Sequence, residues 1–374
     1  MENGRNEQTI MSVSAQTENR SESGWRTFGR VFAKLLLLIF ETVLLLCIVL
    51  YGVMYILAKG PSPAASEKFV TSVRETSAIG FLADLFFTPE EIAEIESVKE
   101  AEDFAPTDTS LITIGASDTA ANTAGQDAAA PKPDAWGLVD EDGDGIIIDP
   151  VKGSGYAGYM MVVLDPSRVI IASRPQDFGV RGHTVAEFVD LFGAVAGING
   201  GGFEDPNGMG NGSIPDSIVV YDGTVYYSGC AGGIVGIDDN NILHVATKMS
   251  KDEIVSNDIR YALCYGPVLV SNGEPADPDS LAKSLNPRTA IGQRSDGAIL
   301  LLVIDGRQAS SIGATYQDEV DIMLKYGAVN ALNLDGGSSS VMWFGGDYIN
   351  KTASVIGIRP VPTCVLVLGE GTGE

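Results

Sequence analysis

The chain has 374 residues, a formal net charge of −25 at pH 7 and an apolar fraction of 45%. That length can hold one large or two medium domains together with further segments. Such an acidic chain lacks the basic surface that replaces phosphate counterions, so binding to nucleic acid is excluded. The two histidines cannot form a three-histidine zinc site. The four cysteines contain no Cys-x-x-Cys pair, which argues against a cysteine zinc site.

The first part of the chain predicts a membrane anchor. Residues 1–34 are polar and predict a disordered cytoplasmic tail. Residues 35–58 are almost wholly apolar, and a helix of that length would be about 36 Å long, enough to cross a bilayer core of about 30 Å. The long preceding flank, with no small-residue cleavage site close behind the span, favours an uncleaved anchor over a signal peptide.

Basic residues set the predicted orientation of this anchor. The flank before the span carries more of them than the flank after it, which places the N-terminus in the cytoplasm and the rest outside. The residues compared are Arg20, Arg26, Arg30 and Lys34 before the span, and Lys59 and Lys68 after it. Three cysteines then lie in the outer portion, so at least one is predicted to be unpaired.

Residues 59–134 predict a partly helical stalk and linker. Thr88-Pro89-Glu90-Glu91 is typical of a helix start, and an acidic helix is expected to run to about Asp103. Residues 105–134 are rich in Ala, Thr, Asp and Pro and have almost no large apolar side chains, as in a linker.

Residues 135–370 predict one folded domain of the α+β class, with a mixed sheet and a few packing helices. Short apolar runs alternate with Gly, Asn and Asp turns, and two segments, Thr184–Phe192 and Thr315–Tyr326, have helical periodicity. The predicted strands are Met160–Leu164, Val169–Ala172, Ile218–Tyr221, Thr224–Tyr227, Ile242–Ala246, Pro267–Val270, Ile299–Ile304 and Cys364–Leu368.

The acidic stretch from Asp140 to Gly145 resembles the first half of an EF-hand loop. Position twelve of that loop is Val151 instead of a bidentate Glu, and no helices flank it. A turn between strands is therefore favoured over a calcium site.

The stretch from Asn330 to Ser340 is the strongest candidate for a site. A short apolar run carries Asn333 and Asp335 on one face of a strand, where buried polar groups need partners. Gly336 and Gly337 then allow a sharp turn and a close approach to the backbone. A strand followed by an ordinary Gly-Ser turn is the alternative.

Three other polar positions stand beside apolar runs. Asn199 ends a run and precedes three glycines, Arg288 precedes a small apolar run, and Asp305 and Arg307 follow the run at Leu300–Ile304. Each has a plain alternative, namely a flexible loop, a surface arginine and an Asp-Gly hairpin turn. Four such positions in one domain favour a shared polar pocket.

The motifs together resemble the phosphodiester glycosidase family. They are INGGGF (198–203), YGPVLV (265–270), NPRTAIG (286–292), LLVIDGR (301–307) and NLDGGSSSVM (333–342). The resemblance extends in order from about Tyr159 to Leu368. It implies a hydrolase that releases a sugar from the phosphate of a sugar-1-phosphodiester. Many members have a third glycine where this chain has Ser338, so the role of Ser338 stays open.

The resemblance and the chemistry suggest roles for these residues. Arg288 and Arg307 would bind the phosphate through bidentate contacts. Asp305 or Asp335 would be the base that activates water, or the nucleophile if configuration is retained. The expected substrate-binding residues are Asn199, Gly201, Thr289, Asn333, Gly336, Gly337 and Ser338. Asp305, Asp335 and Asn333 are also hard oxygen ligands that suit magnesium or calcium.

The expected partner is a phosphodiester-linked carbohydrate at the cell surface. Two other classes stay open: a non-catalytic module that binds anionic wall polymer, and a structural partner in an envelope complex. The pair of carboxylates favours the enzyme, because binding a phosphate needs the arginines but no adjacent acids.

Overall fold

The computed structural model describes residues 3–76, 79–96, 104–115, 132–227, 229–230, 232–354 and 357–371. The chain divides into two compact units, Met1–Ser66 and Glu67–Glu374. The helices are α1 (Asn3–Lys59), α2 (Pro63–Arg74), α3 (Phe81–Asp84), α4 (Pro89–Glu96), α5 (Val185–Phe192), α6 (Lys251–Ser256) and α7 (Tyr316–Lys325).

The strands belong to the second unit. They are β1 (Ile146–Gly153), β2 (Tyr156–Val163), β3 (Val169–Ser173), β4 (Ala194–Asn199), β5 (Val219–Tyr221), β6 (Thr224–Tyr226), β7 (Ile234–Asp238), β8 (Leu243–Ala246), β9 (Ile259–Cys264), β10 (Val268–Ser271), β11 (Glu274–Pro275), β12 (Arg288–Arg294), β13 (Ile299–Ile304), β14 (Ala328–Asn333), β15 (Met342–Phe344), β16 (Asp347–Tyr348) and β17 (Thr363–Leu368).

Helix α1 is the main element of the first unit. No proline lies between residues 3 and 59, so nothing interrupts the backbone hydrogen bonds of the helix. The helix therefore includes residues for which the sequence predicts disorder. Its part Arg30–Lys59 is long and apolar enough to cross a membrane, and most of the large apolar side chains from Val31 to Leu57 are exposed. The predicted N-terminal apolar helix is confirmed.

The second unit confirms the α+β class. Its strands form three sheets in the orders β1-β2-β13-β12-β14-β10-β11, β16-β15-β4-β17-β3 and β6-β5-β9-β7-β8. All pairings among the described strands are antiparallel. The structure therefore has three antiparallel sheets where the sequence predicts one mixed sheet. The central core takes side chains from all three sheets, and smaller cores lie under α5, α6 and α7.

Strand β13 shows how the sequence specifies this packing. Leu301 and Val303 enter the central core, whereas Leu300, Leu302 and Ile304 pack on the opposite face with α7. Burial of one such side chain contributes roughly 1.5–3 kcal/mol. Because both faces are covered, the strand is an uninterrupted apolar run without polar alternation.

Capping residues set the starts of the two predicted helices. Thr184 forms a capping box with Glu187 at α5, and Thr315 forms one with Asp318 at α7. Gly193 ends α5 in the left-handed conformation with φ of 64°. Both predicted helices are thus present, shorter by the capping residues.

The order of strands in the largest sheet brings the polar positions together. Strand β12 lies between β13 and β14 and runs antiparallel to both, so its first residue lies at the edge where they end. Arg288 is paired with Ile304, and Ala290 with Asn333. Arg288 therefore begins a strand, in agreement with its position before a small apolar run in the sequence.

Parts of the predicted linker contact the domain. The Thr113 amide donates to the Ser295 carbonyl oxygen at 2.8 Å, and Asp134 accepts from Arg294 Nη1 at 2.7 Å. Residues 116–131, and residues 97–103 of the predicted acidic helix, lie outside the described residues. A disulfide joins Cys230 to Cys264, while Cys364 is buried and free.

Candidate active site

Asp335 follows β14 at the junction of two sheets. Its amide donates to the Gly200 carbonyl oxygen at 3.1 Å, which joins the end of β14 to the end of β4. The side chain is partly buried and accepts hydrogen bonds from the hydroxyls of Ser339 and Tyr265. Burial raises the pKa of this carboxyl to about 7, against the hydrogen bonds and the charge of Arg359. Asp335 therefore titrates near neutral pH.

Arg288 is buried and held on several sides. Its Nη2 donates to the carbonyl oxygen and the hydroxyl of Ser284 at 2.9 and 2.7 Å, and its Nε donates to the Ala314 carbonyl oxygen at 3.1 Å. The guanidinium lies over the Tyr316 ring, 3.8 Å from the centroid. Only 3% of the residue is exposed, so its charge has a fixed position.

A second carboxyl lies beside Arg288 within the fold. Glu319 of α7 is fully buried, its Oε2 is 3.9 Å from Arg288 Nε, and neither of its oxygens has a hydrogen-bond partner among the described residues. Burial raises the pKa of Glu319 to about 8, against the charge of Arg288.

Arg307 lies beside the glycine turn that follows Asp335. Its Nη2 donates to Asn286 Oδ1 at 2.9 Å and to Thr76 Oγ1 at 2.8 Å. Gly337 has φ of +61°, and a Cβ at that position would lie 3.4 Å from Arg307 Nη2. The turn therefore needs glycine for its conformation.

The end of α2 occupies the space beside both arginines. The Glu75 carboxylate accepts from Ser284 Oγ at 2.6 Å and from Asn286 Nδ2 at 2.7 Å, and it lies 3.5 Å from Arg288 Nη1. Thr76 accepts from Arg307, and Ser72 accepts from the Leu285 amide at 2.9 Å. Because the sequence places these residues in a stalk, it gives no signal for this contact.

Tyr265 interacts with both Asp335 and Arg288. Its hydroxyl donates to Asp335, and burial raises its pKa well above the usual value, as do the charges of Asp335 and Glu75. The phenol is therefore neutral at physiological pH. Sequence reasoning noted Tyr265 in the motif YGPVLV but assigned it no role.

Arg359 is a further cation that sequence reasoning missed. Its Nη1 and Nη2 donate to the two oxygens of Asp205 at 2.8 and 2.6 Å, and Nη1 also contacts Ser338 Oγ at 3.3 Å. The guanidinium lies 4.9 Å from the Phe203 ring centroid. Arg359 thus joins the turn after β14 to the loop after β4, although no motif surrounds it in the sequence.

Asp305 has a different environment. Its Oδ1 accepts from Asn350 Nδ2 at 3.1 Å and from the Lys351 amide at 2.9 Å. Burial raises its pKa, against those two hydrogen bonds. The described contacts of Asp305 therefore hold the loop at Asn350 and Lys351, with none to Asp335.

Three predicted substrate-binding residues hold the strand ends in place. Asn199 Nδ2 donates to the Asp335 carbonyl oxygen at 2.5 Å, and its Oδ1 accepts from Thr289 Oγ1 at 3.0 Å. Asn333 Nδ2 donates to the Gly266 carbonyl oxygen at 2.6 Å. Asn199, Thr289 and Asn333 are fully buried, so their described contacts position the backbone around Asp335.

The glycines of the motifs permit close packing of the chain against itself. A Cβ on Gly201 would lie 2.6 Å from the Cys264 carbonyl oxygen, and one on Gly336 would lie 2.7 Å from the Pro287 carbonyl oxygen. A Cβ on Gly202 would lie 2.4 Å from the Asp216 carboxylate. The sequence predicts that another group comes close to these glycines. In the structure, the groups that do so belong to the protein itself.

One acidic cluster could hold a metal ion by geometry. Ligand atoms of Asp140, Asp142 and Asp144 lie within 4.8 Å of one another. Asp140 and Asp144 accept backbone amides of their own turn, which leads directly into β1. Exposed acidic turns of this kind are common without a metal. In the described part of the chain, Asp305 and Asp335 belong to no comparable group of three.

Comparison with known proteins finds a family model that is similar to the part of the chain with this site. Residues 192–368 match the family model for phosphodiester glycosidase, and this range contains every predicted site residue. A relative in Bacillus subtilis strain 168, the SPbeta prophage-derived uncharacterized protein YomE, is 31% identical over 184 residues. The match covers 46% of this chain and 28% of that relative, so the chain spans about a quarter of its length.

Two solved structures have a similar fold. The zebrafish N-acetylglucosamine-1-phosphodiester α-N-acetylglucosaminidase catalytic domain, auto-inhibited by its pro-peptide, is 20% identical with a TM-score of 0.50 over 60% of this chain and 82% of that one. A putative exported protein from Burkholderia pseudomallei is 18% identical with a TM-score of 0.40 over 57% of this chain and 74% of that one. Residues 192–368 are therefore similar in sequence to the phosphodiester glycosidase family.

Proposed function

We propose that the chain is a membrane-anchored hydrolase that cleaves the glycosidic bond of a sugar-1-phosphodiester outside the cytoplasm. The observation that carries the proposal is the arrangement at one sheet edge. The pKa of Asp335 is raised to about 7, and Asp335 accepts from Tyr265, whose phenol also interacts electrostatically with Arg288. Arg307 lies beside the Gly337 turn that follows Asp335. The cations suit the phosphate, and the carboxyl suits proton transfer or nucleophilic attack at the sugar carbon.

The reaction needs little help for its leaving group. The departing group is a phosphate monoester, whose oxygen is a weak base, so the demand for a general acid is lower than in an ordinary glycoside. Arg288 and Arg307 would neutralise the phosphate. Asp335 would activate water or attack the anomeric carbon, and Asp305 is the other carboxylate for that role. Gly337 and Ser338 would contact the sugar.

The N-terminal helix supports location at a membrane. The stretch Arg30–Lys59 can cross a bilayer by length and composition, and the basic residues before it favour a cytoplasmic N-terminus. Surface glycopolymers with phosphodiester links are the substrates that this location would offer.

Part of the described site is occupied by its own chain, because Glu75 contacts Ser284, Asn286 and Arg288. The zebrafish enzyme with a similar fold is described as auto-inhibited by its pro-peptide. We propose a comparable restraint here, because Glu75 binds Ser284 and Asn286 and lies beside Arg288. Substrate would have to displace this carboxylate.

The test uses the full chain in detergent and its Glu75→Gln variant. Both are incubated with the p-nitrophenyl diester of N-acetylglucosamine 1-phosphate, with and without a chelator, and the products are separated. We expect free sugar and nitrophenyl phosphate, with more product from the variant. Sugar phosphate and nitrophenol would show phosphoester cleavage and contradict the proposal. If neither enzyme releases sugar from this diester or from a phosphodiester-linked wall polymer, the proposed hydrolysis is wrong.

A non-catalytic polymer-binding module is the alternative. The double variant Asp305→Asn, Asp335→Asn separates the two, because a pure binder needs the arginines alone. Binding of wall polymer should survive in the variant in either case. Loss of turnover in the variant supports the enzyme, whereas absence of turnover in the parent protein supports the binder.

A further inference from the structure

We infer that Ser284, Asn286 and Arg288 form a cradle for the two non-bridging oxygens of a phosphodiester, and that Glu75 occupies this cradle in the described structure. The inference rests on the proposed function for the identity of the anion. It adds two neutral donors, Ser284 and Asn286, to the predicted arginines.

The contacts of Glu75 show where an anion is held. One carboxylate oxygen accepts from Ser284 Oγ at 2.6 Å. The other accepts from Asn286 Nδ2 at 2.7 Å and lies 3.5 Å from Arg288 Nη1. Ser284 is fully buried, and Asn286 and Arg288 are each 3% exposed. The donors are therefore fixed before any ligand arrives, which is the condition for tight anion binding.

Two arginines orient the neutral donors. Ser284 Oγ accepts from Arg288 Nη2 at 2.7 Å, so its own proton is free for the anion. Asn286 Oδ1 accepts from Arg307 Nη2 at 2.9 Å, which fixes the amide with Nδ2 toward the carboxylate. Each arginine thus acts on the anion through a neighbouring donor as well as through its charge.

The occupant indicates the class of ligand. A carboxylate has two oxygens that share one negative charge, and a phosphodiester has two non-bridging oxygens that share one negative charge. A phosphomonoester has a third terminal oxygen and additional negative charge. The Glu75 carboxylate has neither. The cradle should therefore prefer a diester to a monoester.

The binding test compares variants of the full chain by calorimetric titration with diethyl phosphate and with ethyl phosphate. Glu75→Gln removes the charge of the occupant and keeps its size. Glu67→Gln in the preceding helix α2 is the matched control, because Glu67 contacts Lys283 at 3.3 Å and not the cradle. We expect Glu75→Gln to bind diethyl phosphate at least tenfold tighter than the parent and the control do, and tighter than it binds ethyl phosphate.

A second variant tests the donor directly. Adding Ser284→Ala to Glu75→Gln should weaken diethyl phosphate binding by roughly tenfold, because a hydrogen bond to a charged group is lost. Thermal unfolding checks that each protein is folded. No gain from Glu75→Gln, or no loss from Ser284→Ala, would overturn the cradle. Tight diester binding without sugar release would support the cradle and contradict the proposed hydrolysis.

Discussion

At the scale of single residues, the site depends on carboxyls whose ionisation the fold has changed. Asp335 combines a raised pKa with hydrogen bonds from Ser339 and Tyr265, so it is neither a free surface acid nor a fully ionised ion-pair partner. Perturbed carboxyls of this kind are typical of catalytic sites. The pKa of Glu319 is also raised, but Glu319 lies beside Arg288 and helps to hold that side chain in place.

The titration of Asp335 predicts the pH dependence of the reaction. As base or nucleophile it must be ionised, so kcat/KM should rise about tenfold per pH unit below pH 7 and level off above it. Asp335→Asn should lower kcat by about 10²- to 10⁴-fold. Asp305→Asn is the comparison, because Asp305 is the other carboxylate proposed for this role and an asparagine oxygen can still accept from Asn350 and Lys351. A loss of kcat in Asp305→Asn but not in Asp335→Asn would assign the role to Asp305. A profile that falls as pH rises through 7 would contradict this role and make Asp335 the acid.

The same shift predicts an effect on stability. A carboxyl whose pKa is raised above its unfolded value of 3.8 stabilises the fold below that pH, and this contribution is lost as pH rises through the folded pKa of about 7. Asp335→Asn should therefore gain in thermal stability relative to the parent between pH 4 and pH 8. Equal differences in melting temperature at both pH values would contradict the shift.

At the scale of elements, the antiparallel order of β13, β12 and β14 is what creates the site. The sequence shows apolar runs with polar residues at their ends, and eight of the runs match described strands. It does not show which edges coincide, because register and strand order come from long-range pairing. The predicted strands also do not include β7 and β9, although both lie in the third sheet and are largely buried.

Helix α7 connects this architecture to Arg288. Ala314 and Tyr316 flank the capping residue Thr315 and both contact the guanidinium. Thr315→Ala should cost about 1 kcal/mol of stability through the lost cap and raise KM more than it lowers kcat. Ser250→Ala removes the equivalent cap of α6, which belongs to the third sheet. Equal kinetic effects of the two variants would show that the cap of α7 does not position Arg288.

At the scale of the whole molecule, the sequence separates an apolar helix that is long enough to cross a membrane from the rest of the chain, because length and composition alone identify such a helix. The sequence alone does not indicate that the chain after the span returns to the site. Glu75 lies in a polar stretch without a motif. Its partners Ser284 and Asn286 lie more than 200 residues further along the chain, so only the folded structure brings them together.

The anchor makes a prediction for the intact cell. The full chain should stay with the membrane after alkaline carbonate extraction, and protease added outside should digest the domain. Leu44→Arg with Leu46→Arg should weaken insertion, because an arginine near the centre of a span costs roughly 2.5–3.5 kcal/mol. Release of the parent protein by carbonate, or protection of its domain from protease, would contradict the proposed anchor or its orientation.

The two described ends of the predicted linker contact adjacent residues of one turn. Thr113 is bonded to Ser295, and Asp134 to Arg294, which is fully buried over the Trp136 ring. The two contacts therefore fix the described chain on either side of residues 116–131 to the same turn between β12 and β13. Insertions between residues 116 and 131 should leave both contacts intact, because neither contact depends on the length of chain between them.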